Sequence, residues 1–209
     1  MTQDAKPKRG RPVLTAEQHA QTRARIAEAA LRLFLEEGFH SVSMRRLGKE
    51  VGLTPMALYR YYDSKLGILA SLWGHVLGLA FQRVAQAADP EQAPRDRLLA
   101  ISQAYVGYWL DNVDHYGLVF MSAGVSNADV KGFVAQPEVL ARFQVFFDMV
   151  ARSRGLPAEA EGVKRATDGL LSHLHGITHS SITMQGYPWT DAGTLVRDAV
   201  DAAAEGPGA

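Results

Sequence analysis

The chain has 209 residues, with 22 Lys plus Arg against 22 Asp plus Glu. Hydrophobic residues make up 47% of it, which excludes disorder throughout, and the length suits one domain or two small ones. There is no cysteine, which excludes a disulfide framework, a thiolate zinc site and a cysteine nucleophile. A net charge of zero, taken as a single sum, argues against a nucleic-acid binder, because such proteins usually carry a basic excess.

The charges are distributed unevenly along the chain. Residues 1–66 contain twelve basic and seven acidic side chains, a net charge of +5, so the remainder carries −5. Charge asymmetry between two parts of a chain is typical of contact with nucleic acid at the basic end. A chance imbalance of this size is the alternative interpretation.

Two segments bear on targeting and membranes. Residues 1–16 are polar and basic without an apolar run, so we predict a flexible arm and no secretory signal. The uncharged stretch between Lys65 and Arg83 contains Ser71, His75 and Gln82 and is shorter than the roughly 20 apolar residues that a spanning helix needs. We therefore predict a buried helix, no membrane partner and a cytoplasmic protein.

Apolar residues recur at helical spacing along most of the chain, without a period-2 strand pattern. We predict an all-α fold of about nine helices, with a loop at 122–136 and three parts: the arm at 1–16, a helix-turn-helix domain at 17–66 and a second helical domain at 67–205. The predicted helices cover about 17–37, 43–51, 55–62, 65–88, 95–111, 116–121, 137–154, 158–184 and 190–204.

A helix-turn-helix is predicted around the turn at residues 51–54. Ser43 is the expected N-cap of the second helix, and Gly52 ends it. Thr54 followed by Pro55 is typical of the start of a third helix. Leu58 and Tyr62 would then face the core, while small or polar residues face a DNA major groove. A three-helix bundle with a solvated face is the alternative, because short turns with glycine are common.

The run from Ser41 to Lys65 closely resembles the DNA-binding signature of the tetracycline-repressor-like (TetR) family. The resemblance covers about residues 20–70, and its most specific part is Leu-Tyr-x-Tyr-Tyr-x-Ser-Lys at residues 58–65. Gly48 occupies a position where the family usually has alanine, and we expect it to loosen the second helix. Tyr62 replaces a common phenylalanine and still provides an aromatic anchor.

The resemblance implies that the third helix reads bases while Tyr59 and Lys65 hold the phosphate backbone. It also implies a homodimer that binds a palindromic operator, represses transcription and is released when a small molecule moves the fourth helix. We therefore predict a ligand-responsive repressor; an activator or a regulator without a ligand is the alternative. The predicted DNA-contact residues are Arg9, Arg11, Ser43, Arg45, Arg46, Thr54, Pro55, Met56, Ala57, Tyr59, Arg60 and Lys65.

The segment Lys8-Arg9-Gly10-Arg11-Pro12 has the Arg-Gly-Arg-Pro core of AT-hook peptides. An extended arginine-rich segment fits the narrow minor groove of A·T-rich DNA, where the negative potential is strongest. We predict that this arm enters the minor groove. The alternative is a solvated tail that adds only nonspecific attraction.

Small residues at seven-residue spacing in the long helix predict close contact between helices. Glycines within a helix cost about 1 kcal/mol each relative to alanine, so close packing has to compensate them. With the apolar face of the last helix, they predict a two-fold interface, although both faces could instead pack within one subunit. The predicted interface residues are Gly162, Ala166, Gly169, Gly176, Leu195, Val196 and Ala199.

Aromatic residues and histidines crowd the middle and long helices, where they predict a ligand pocket or a plain core. The predicted pocket residues are Tyr105, Tyr108, Trp109, Phe120, Phe143, Phe147, His175 and His179. His175 and His179 share a helix face, but His173 does not, so hydrogen bonding is favoured over metal binding. We predict no metal or cofactor. An α-helical enzyme using these histidines is a rival, but no catalytic motif supports it.

Overall fold

The computed structural model describes residues 15–205 and contains ten α-helices within that range. The predicted all-α fold is confirmed, with one helix more than the nine or so expected. The residues divide into a first unit, which ends at Leu69, and a second unit, which begins at Ala70. The helices are α1 Ala16–Glu37, α2 Met44–Val51, α3 Pro55–Leu58, α4 Lys65–Ala87, α5 Pro94–Asp111, α6 Val113–Phe120, α7 Asn127–Val134, α8 Pro137–Arg154, α9 Glu161–Thr183 and α10 Ala192–Glu205.

Helix α1 is closed at both ends by local residues. The Thr15 side chain accepts a hydrogen bond from the Gln18 amide, and the Gln18 side chain accepts one from the Thr15 amide, which forms a capping box. Gly38 ends the helix with a φ of 80°, a conformation that glycine adopts at little cost. The predicted inner residues of this helix, Ile26, Ala30, Leu33 and Phe34, are all buried.

Helix α7 corrects the prediction of a loop at residues 122–136. Ser126 accepts a hydrogen bond from the Asp129 amide at 3.2 Å, and the Asp129 carboxylate accepts one from the Ser126 amide at 3.2 Å. This second capping box starts a helix of eight residues. Phe133 is buried, with its ring 5.1 Å from that of Trp73. A single buried aromatic in so short a segment leaves little helical periodicity to detect.

Three other helix starts differ from the prediction by two or three residues. Helix α6 begins at Val113, before the expected Tyr116, and α9 begins at Glu161, after the expected Ala158. Helix α10 begins at Ala192, where Asp191 accepts a hydrogen bond from the Thr194 amide at 3.0 Å. Aspartate is a favourable N-cap, so this residue sets the start of α10.

Helix α4 is long and apolar enough to cross a membrane by length and composition alone, with a mean hydropathy of 1.3 in its most apolar window. In the structure it is a core helix, as predicted. Val76, Ala80 and Val84 are buried, and the Trp73 indole N–H donates to the Leu118 carbonyl at 2.8 Å. The side chains of α4 are therefore used in packing against other helices of the chain.

The core of the second unit is centred on α5, which packs against α8, α9 and α10. Tyr105, Trp109 and Phe146 are its largest fully buried side chains. Their rings meet edge to face, at 6.0 Å between Tyr105 and Trp109 and 5.8 Å between Tyr105 and Phe146. Aromatic pairs favour this geometry and add stability beyond the area that they bury.

Candidate functional site

The helix-turn-helix has the predicted local geometry. Ser43 caps α2 by accepting a hydrogen bond from the Arg46 amide at 3.0 Å, and Thr54 caps α3 by accepting one from the Ala57 amide at 3.2 Å. Gly52 ends α2 in the left-handed conformation, with a φ of 70°. Pro55 occupies the first position of α3, where a missing N–H costs nothing. Cap and turn residues therefore determine where α2 begins and ends and where α3 begins, whereas α3 itself ends at Leu58 and is shorter than the predicted helix at 55–62.

The structure explains why position 48 is glycine, which the sequence alone did not suggest. A Cβ added at this position would lie 2.6 Å from the Leu53 carbonyl oxygen, and the Leu53 amide donates to the Gly48 carbonyl at 2.8 Å. The turn backbone thus passes directly over the glycine. The expected loosening of α2 is offset by this close approach, which any larger side chain would disturb.

Two inner anchors hold the helix-turn-helix against α1. Leu58 is fully buried and Tyr62 nearly so, as predicted. The guanidinium of Arg23 on α1 lies 4.1 Å from the centre of the Tyr62 ring, and Arg23 also donates to the Tyr61 carbonyl. The Tyr62 hydroxyl in turn donates to the Arg23 carbonyl at 3.4 Å. Because these contacts use the inner side of residues 58–62, the opposite side is left to solvent.

Most of the predicted DNA-contact residues lie on that exposed side. Met56 is 77% exposed and Tyr59 48% exposed, and Ala57 is half-buried. The other exposed members of the predicted set are Ser43, Arg45, Thr54, Pro55 and Arg60. Arg9 and Arg11 lie outside the described residues.

Arg46 and Lys65, two further predicted contacts, bind protein groups in this structure. Arg46 pairs with Glu37 at 2.8 Å and with Glu50 at 2.6 Å, and Glu50 also pairs with Arg32 at 2.6 Å. Hydrogen bonds from the Arg32 and Arg46 guanidinium groups lower the pKa of Glu50 to about 2. Arg46 thus ties α2 to α1 through carboxylates.

The Lys65 ammonium donates to the Phe39 carbonyl at 2.6 Å and the His40 carbonyl at 3.4 Å, and it lies 4.2 Å from the centre of the Phe39 ring. Burial lowers the pKa of Lys65. Lys65 therefore fixes the segment that follows α1, a role that the sequence did not predict.

The predicted pocket residues of the second unit form a connected aromatic cluster. Three tyrosine hydroxyls form hydrogen bonds with histidine ring nitrogens, and each pair joins two different helices. These pairs are Tyr105 with His175 at 3.1 Å, Tyr108 with His115 at 2.8 Å, and Tyr116 with His179 at 3.3 Å. Burial raises the pKa of Tyr105 and lowers the pKa of His175. Hydrogen bonding is thus the observed role of His175 and His179.

The remaining predicted pocket residues lie around this cluster and differ in how far they are buried. Phe143 and Phe147 are half-buried, while Phe120 is 40% exposed with its ring 5.1 Å from Trp109 and 4.9 Å from His175. The sequence-based set omitted Phe81, whose ring lies 4.8 Å from that of Phe143. Phe81 comes from α4, and only the packing of helices that are distant in sequence brings it there.

Some buried polar atoms of the second unit lack a hydrogen-bond partner. Among the described residues these are Arg97 Nε, Ser102 Oγ and Trp109 Nε1. Ser102 and Trp109 are fully buried and lie seven residues apart on α5, so they share one helix face. A buried donor without an acceptor destabilises a protein, and its presence requires an explanation.

A surface hollow of about 420 Å³ lies between α4, α5 and α6. It includes Tyr108 from the predicted pocket, together with Leu79, Gln82, Arg83, Gln86, Asn112 and His115. Six of these seven lining residues carry a polar group in the side chain, and burial lowers the pKa of His115. No group of three or more potential His, Cys, Asp or Glu ligands for a metal ion occurs within residues 15–205.

The predicted interface residues of α9 and α10 lie in two different environments. Val196 and Ala199 are buried within the protomer, because α10 packs against α9 and α5. Gly176 and Leu195 instead line a mostly apolar surface hollow of about 330 Å³, together with Ile177 and Trp189. Gly162, Ala166 and Gly169 are half-buried, and Arg154 of α8 donates to the Gly162 carbonyl at 3.3 Å.

Residues 26–72 match the family model described as bacterial regulatory proteins, tetR family. The transcriptional activator FasR of Mycolicibacterium smegmatis is 28% identical over 161 residues, which cover 73% of this chain and 68% of FasR. A transcriptional regulator of Mycobacterium tuberculosis is 28% identical over 179 residues, which cover 82% of this chain and 72% of the relative. Residues 26–72 are thus similar to the DNA-binding domain of the TetR family, and the relatives that match most of the chain are transcriptional regulators.

Solved structures show the same fold. A putative TetR-family regulator from Syntrophomonas wolfei superposes with a TM-score of 0.71 over 90% of this chain and 97% of its own, at 16% identity. The relatives that match this chain are TetR-family transcriptional regulators and not enzymes. The rival interpretation of a helical enzyme using the histidines is therefore set aside.

Proposed function

We propose that this regulator represses transcription by binding a palindromic operator as a homodimer, and that a small molecule bound in the second unit releases it. The observation that carries the proposal is the helix-turn-helix, whose inner side is anchored by Leu58 and Tyr62 while Met56 and Tyr59 lie exposed. A cytoplasmic location fits contact with chromosomal DNA. FasR is named an activator, so activation is the alternative outcome at the promoter.

The exposed surface formed by α3 and the turn after it suits the major groove, because the side chains at the start of α3 are small and Arg60, just past its end, is basic. Thr54 and Pro55 let the backbone approach the base edges, and Arg60 supplies a charge that can reach a base or a phosphate. The Tyr59 hydroxyl can donate to a phosphate oxygen. Arg45 adds an exposed charge at the start of α2.

Footprinting on the protein's own promoter, followed by titration of the protected fragment, tests this proposal. We expect two-fold symmetric protection, and we expect Arg60→Ala to weaken binding by about tenfold to a hundredfold. Arg152→Ala is the matched control, because Arg152 is an exposed arginine on α8, outside the helix-turn-helix. Equal affinities for the two variants would contradict the assignment of α3 as the reading element.

The proposed dimer interface uses the surface hollow on α9 and α10. Gly176 and Leu195 lie at this surface, and the exposed Trp189 ring borders it. Two-fold proteins contact two-fold operators, and an apolar surface between two helices is typical of such interfaces. Val196 and Ala199 would support the interface from beneath.

Gly169→Glu tests the dimer. A Cβ at Gly169 meets no atom within 4 Å inside the protomer, so the substitution leaves the protomer's own packing undisturbed. We expect monomers in sedimentation, with an unchanged helical circular dichroism spectrum. A stable dimer of the variant would refute this interface.

A further inference from the structure

The buried indole N–H of Trp109 lies at the centre of the second unit and has no acceptor. The Trp109 side chain is fully buried, and its Nε1 forms no hydrogen bond. The N–H faces the Tyr105 hydroxyl closely enough to offset part of the rise that burial causes in the pKa of Tyr105, but it forms no hydrogen bond of ordinary geometry there. Native proteins rarely leave such a donor unsatisfied, so an acceptor from a bound molecule would explain it.

Two further polar groups lie on the same face of α5. The Tyr105 hydroxyl meets His175 Nε2 at 3.1 Å, and the Ser102 hydroxyl is fully buried without a partner. If Nε2 of His175 carries the ring proton, it donates to the Tyr105 oxygen, and the phenolic proton is then free for another acceptor. Trp109 and Tyr105 can therefore supply two donors to one acceptor atom.

Phe120 separates this group from solvent. Its ring is 40% exposed, yet it contacts both Trp109 and His175 at about 5 Å between ring centres. It is also the last residue of α6. A rotation of the Phe120 side chain would open space beside Trp109 and His175. Phe143 and Phe81 provide apolar walls beside Tyr105.

Among the described residues, no Arg or Lys side chain directly contacts the two donors. Within residues 15–205, no hydrogen bond or cation–π contact joins an Arg or Lys side chain to Tyr105, Trp109 or His175. Burial lowers the pKa of His175, which favours the neutral ring at physiological pH. A carboxylate placed here would lose its hydration without gaining a counter-charge.

We propose that the effector is an uncharged molecule with an aromatic or similarly apolar body and a carbonyl-type oxygen that accepts from Trp109 Nε1 and the Tyr105 hydroxyl. This inference rests on the proposed function, since it assigns the chemical class of the effector at the same site. The apolar body would lie against the rings of Phe120 and Phe143. Anionic compounds of the same shape are excluded by the missing counter-charge.

Calorimetric titration with two isosteric probes tests the inference. Benzylacetone carries a neutral carbonyl, and hydrocinnamate replaces its methyl ketone with a carboxylate. We expect benzylacetone to bind at least tenfold more tightly at pH 7.5, because only the carboxylate pays the cost of burying a charge. Tyr105→Phe and Trp109→Phe should each weaken benzylacetone binding by about tenfold, the effect of one lost hydrogen bond.

Tyr187→Phe serves as the matched control, because it removes an exposed phenol from the segment between α9 and α10. The inference is overturned if hydrocinnamate binds as well as benzylacetone, or if Tyr105→Phe and Trp109→Phe both leave the affinity unchanged. Operator binding by the ligand-free protein is measured in parallel. Intact operator binding without binding of either probe overturns the effector class alone, whereas loss of operator binding contradicts the proposed function.

Discussion

The two units of the chain place their candidate functional residues in opposite ways. In the first unit they are exposed: Met56 lies on α3, and Tyr59 and Arg60 lie in the turn directly after it, where short-range caps and a glycine turn define the local structure. In the second unit the central ones are buried: Tyr105 and Trp109 are fully buried, and the Tyr105 hydroxyl meets His175, which is 70 residues away in sequence. A DNA-reading surface needs an accessible face on a rigid frame, whereas a small-molecule site needs an interior that long-range packing encloses.

The net charge also differs between the two parts of the chain, and within the first part it is concentrated in a few segments. Residues 1–66 carry +5, but Arg32 and Arg46 are held by Glu50 and Glu37 in ion pairs. Residues 1–14, which contain four basic side chains and one acidic, contribute +3 of that excess. The basic character of the first unit therefore depends mainly on the arm and on a few exposed side chains such as Arg45 and Arg60.

The largest expected effect in the first unit comes from filling Gly48. A Cβ at position 48 would already lie 2.6 Å from the Leu53 carbonyl oxygen. The branched side chain of Gly48→Val would overlap this oxygen further, so the turn has to move. We expect a loss of about 2–4 kcal/mol in the free energy of unfolding, measured by urea denaturation, with loss of operator binding.

Gly117→Val is the control for Gly48→Val. A Cβ at Gly117, in α6, meets nothing within 4 Å, so this change should alter stability by less than about 1 kcal/mol. If Gly48→Val and Gly117→Val lose similar amounts of unfolding free energy, the close approach of the Leu53 carbonyl is not the reason that position 48 requires glycine.

This difference between the units also explains what the sequence could predict. The caps Ser43 and Thr54, the turn at Gly52 and the anchors Leu58 and Tyr62 act over a few residues, so spacing alone located them. The α-helices of the second unit were located well for the same reason, except for α7.

Contacts between distant segments escaped the prediction. Phe81 joins the aromatic cluster from α4, and Arg46 and Lys65 turn toward carboxylates and carbonyls that only the folded first unit brings near. Val196 faces inward because α10 packs against three helices, α5, α8 and α9. Helical periodicity identifies an apolar face but not the partner that covers it.

Removing residues 1–12 tests how far the basic character depends on the arm. The deleted segment contains Lys6, Lys8, Arg9 and Arg11. We expect operator affinity to fall by about tenfold to a hundredfold, and the slope of log K against log salt to flatten by about 0.9 for each lost phosphate contact. An unchanged affinity and slope in fluorescence anisotropy titrations would contradict any contact between the arm and DNA.

Two glycines of α4 test the packing of the second unit. The Arg142 guanidinium donates to the Gly74 carbonyl at 3.1 Å, and a Cβ at Gly78 would lie 3.2 Å from it. Gly78→Ala should displace the Arg142 guanidinium, and the stability lost in this way should cancel the stability that alanine adds to the helix. Gly74→Ala meets nothing within 4 Å and should raise stability by about 0.5–1 kcal/mol in thermal unfolding. Equal gains for both variants would show that Arg142 does not hold α4.

The smallest expected effect concerns Glu50, which links α2 to α1 through Arg46 and Arg32. Its pKa is lowered from 4.5 to about 2, so its stabilising contribution is present above pH 4.5 and is lost as the pH falls toward 2. Glu50→Gln should therefore be slightly less stable than the wild type at neutral pH and show a shallower loss of stability on acidification. Glu28→Gln, at another exposed position on α1, should keep the wild-type dependence. If both variants follow the wild-type pH profile in urea unfolding, the ion pairs at Glu50 do not stabilise the first unit.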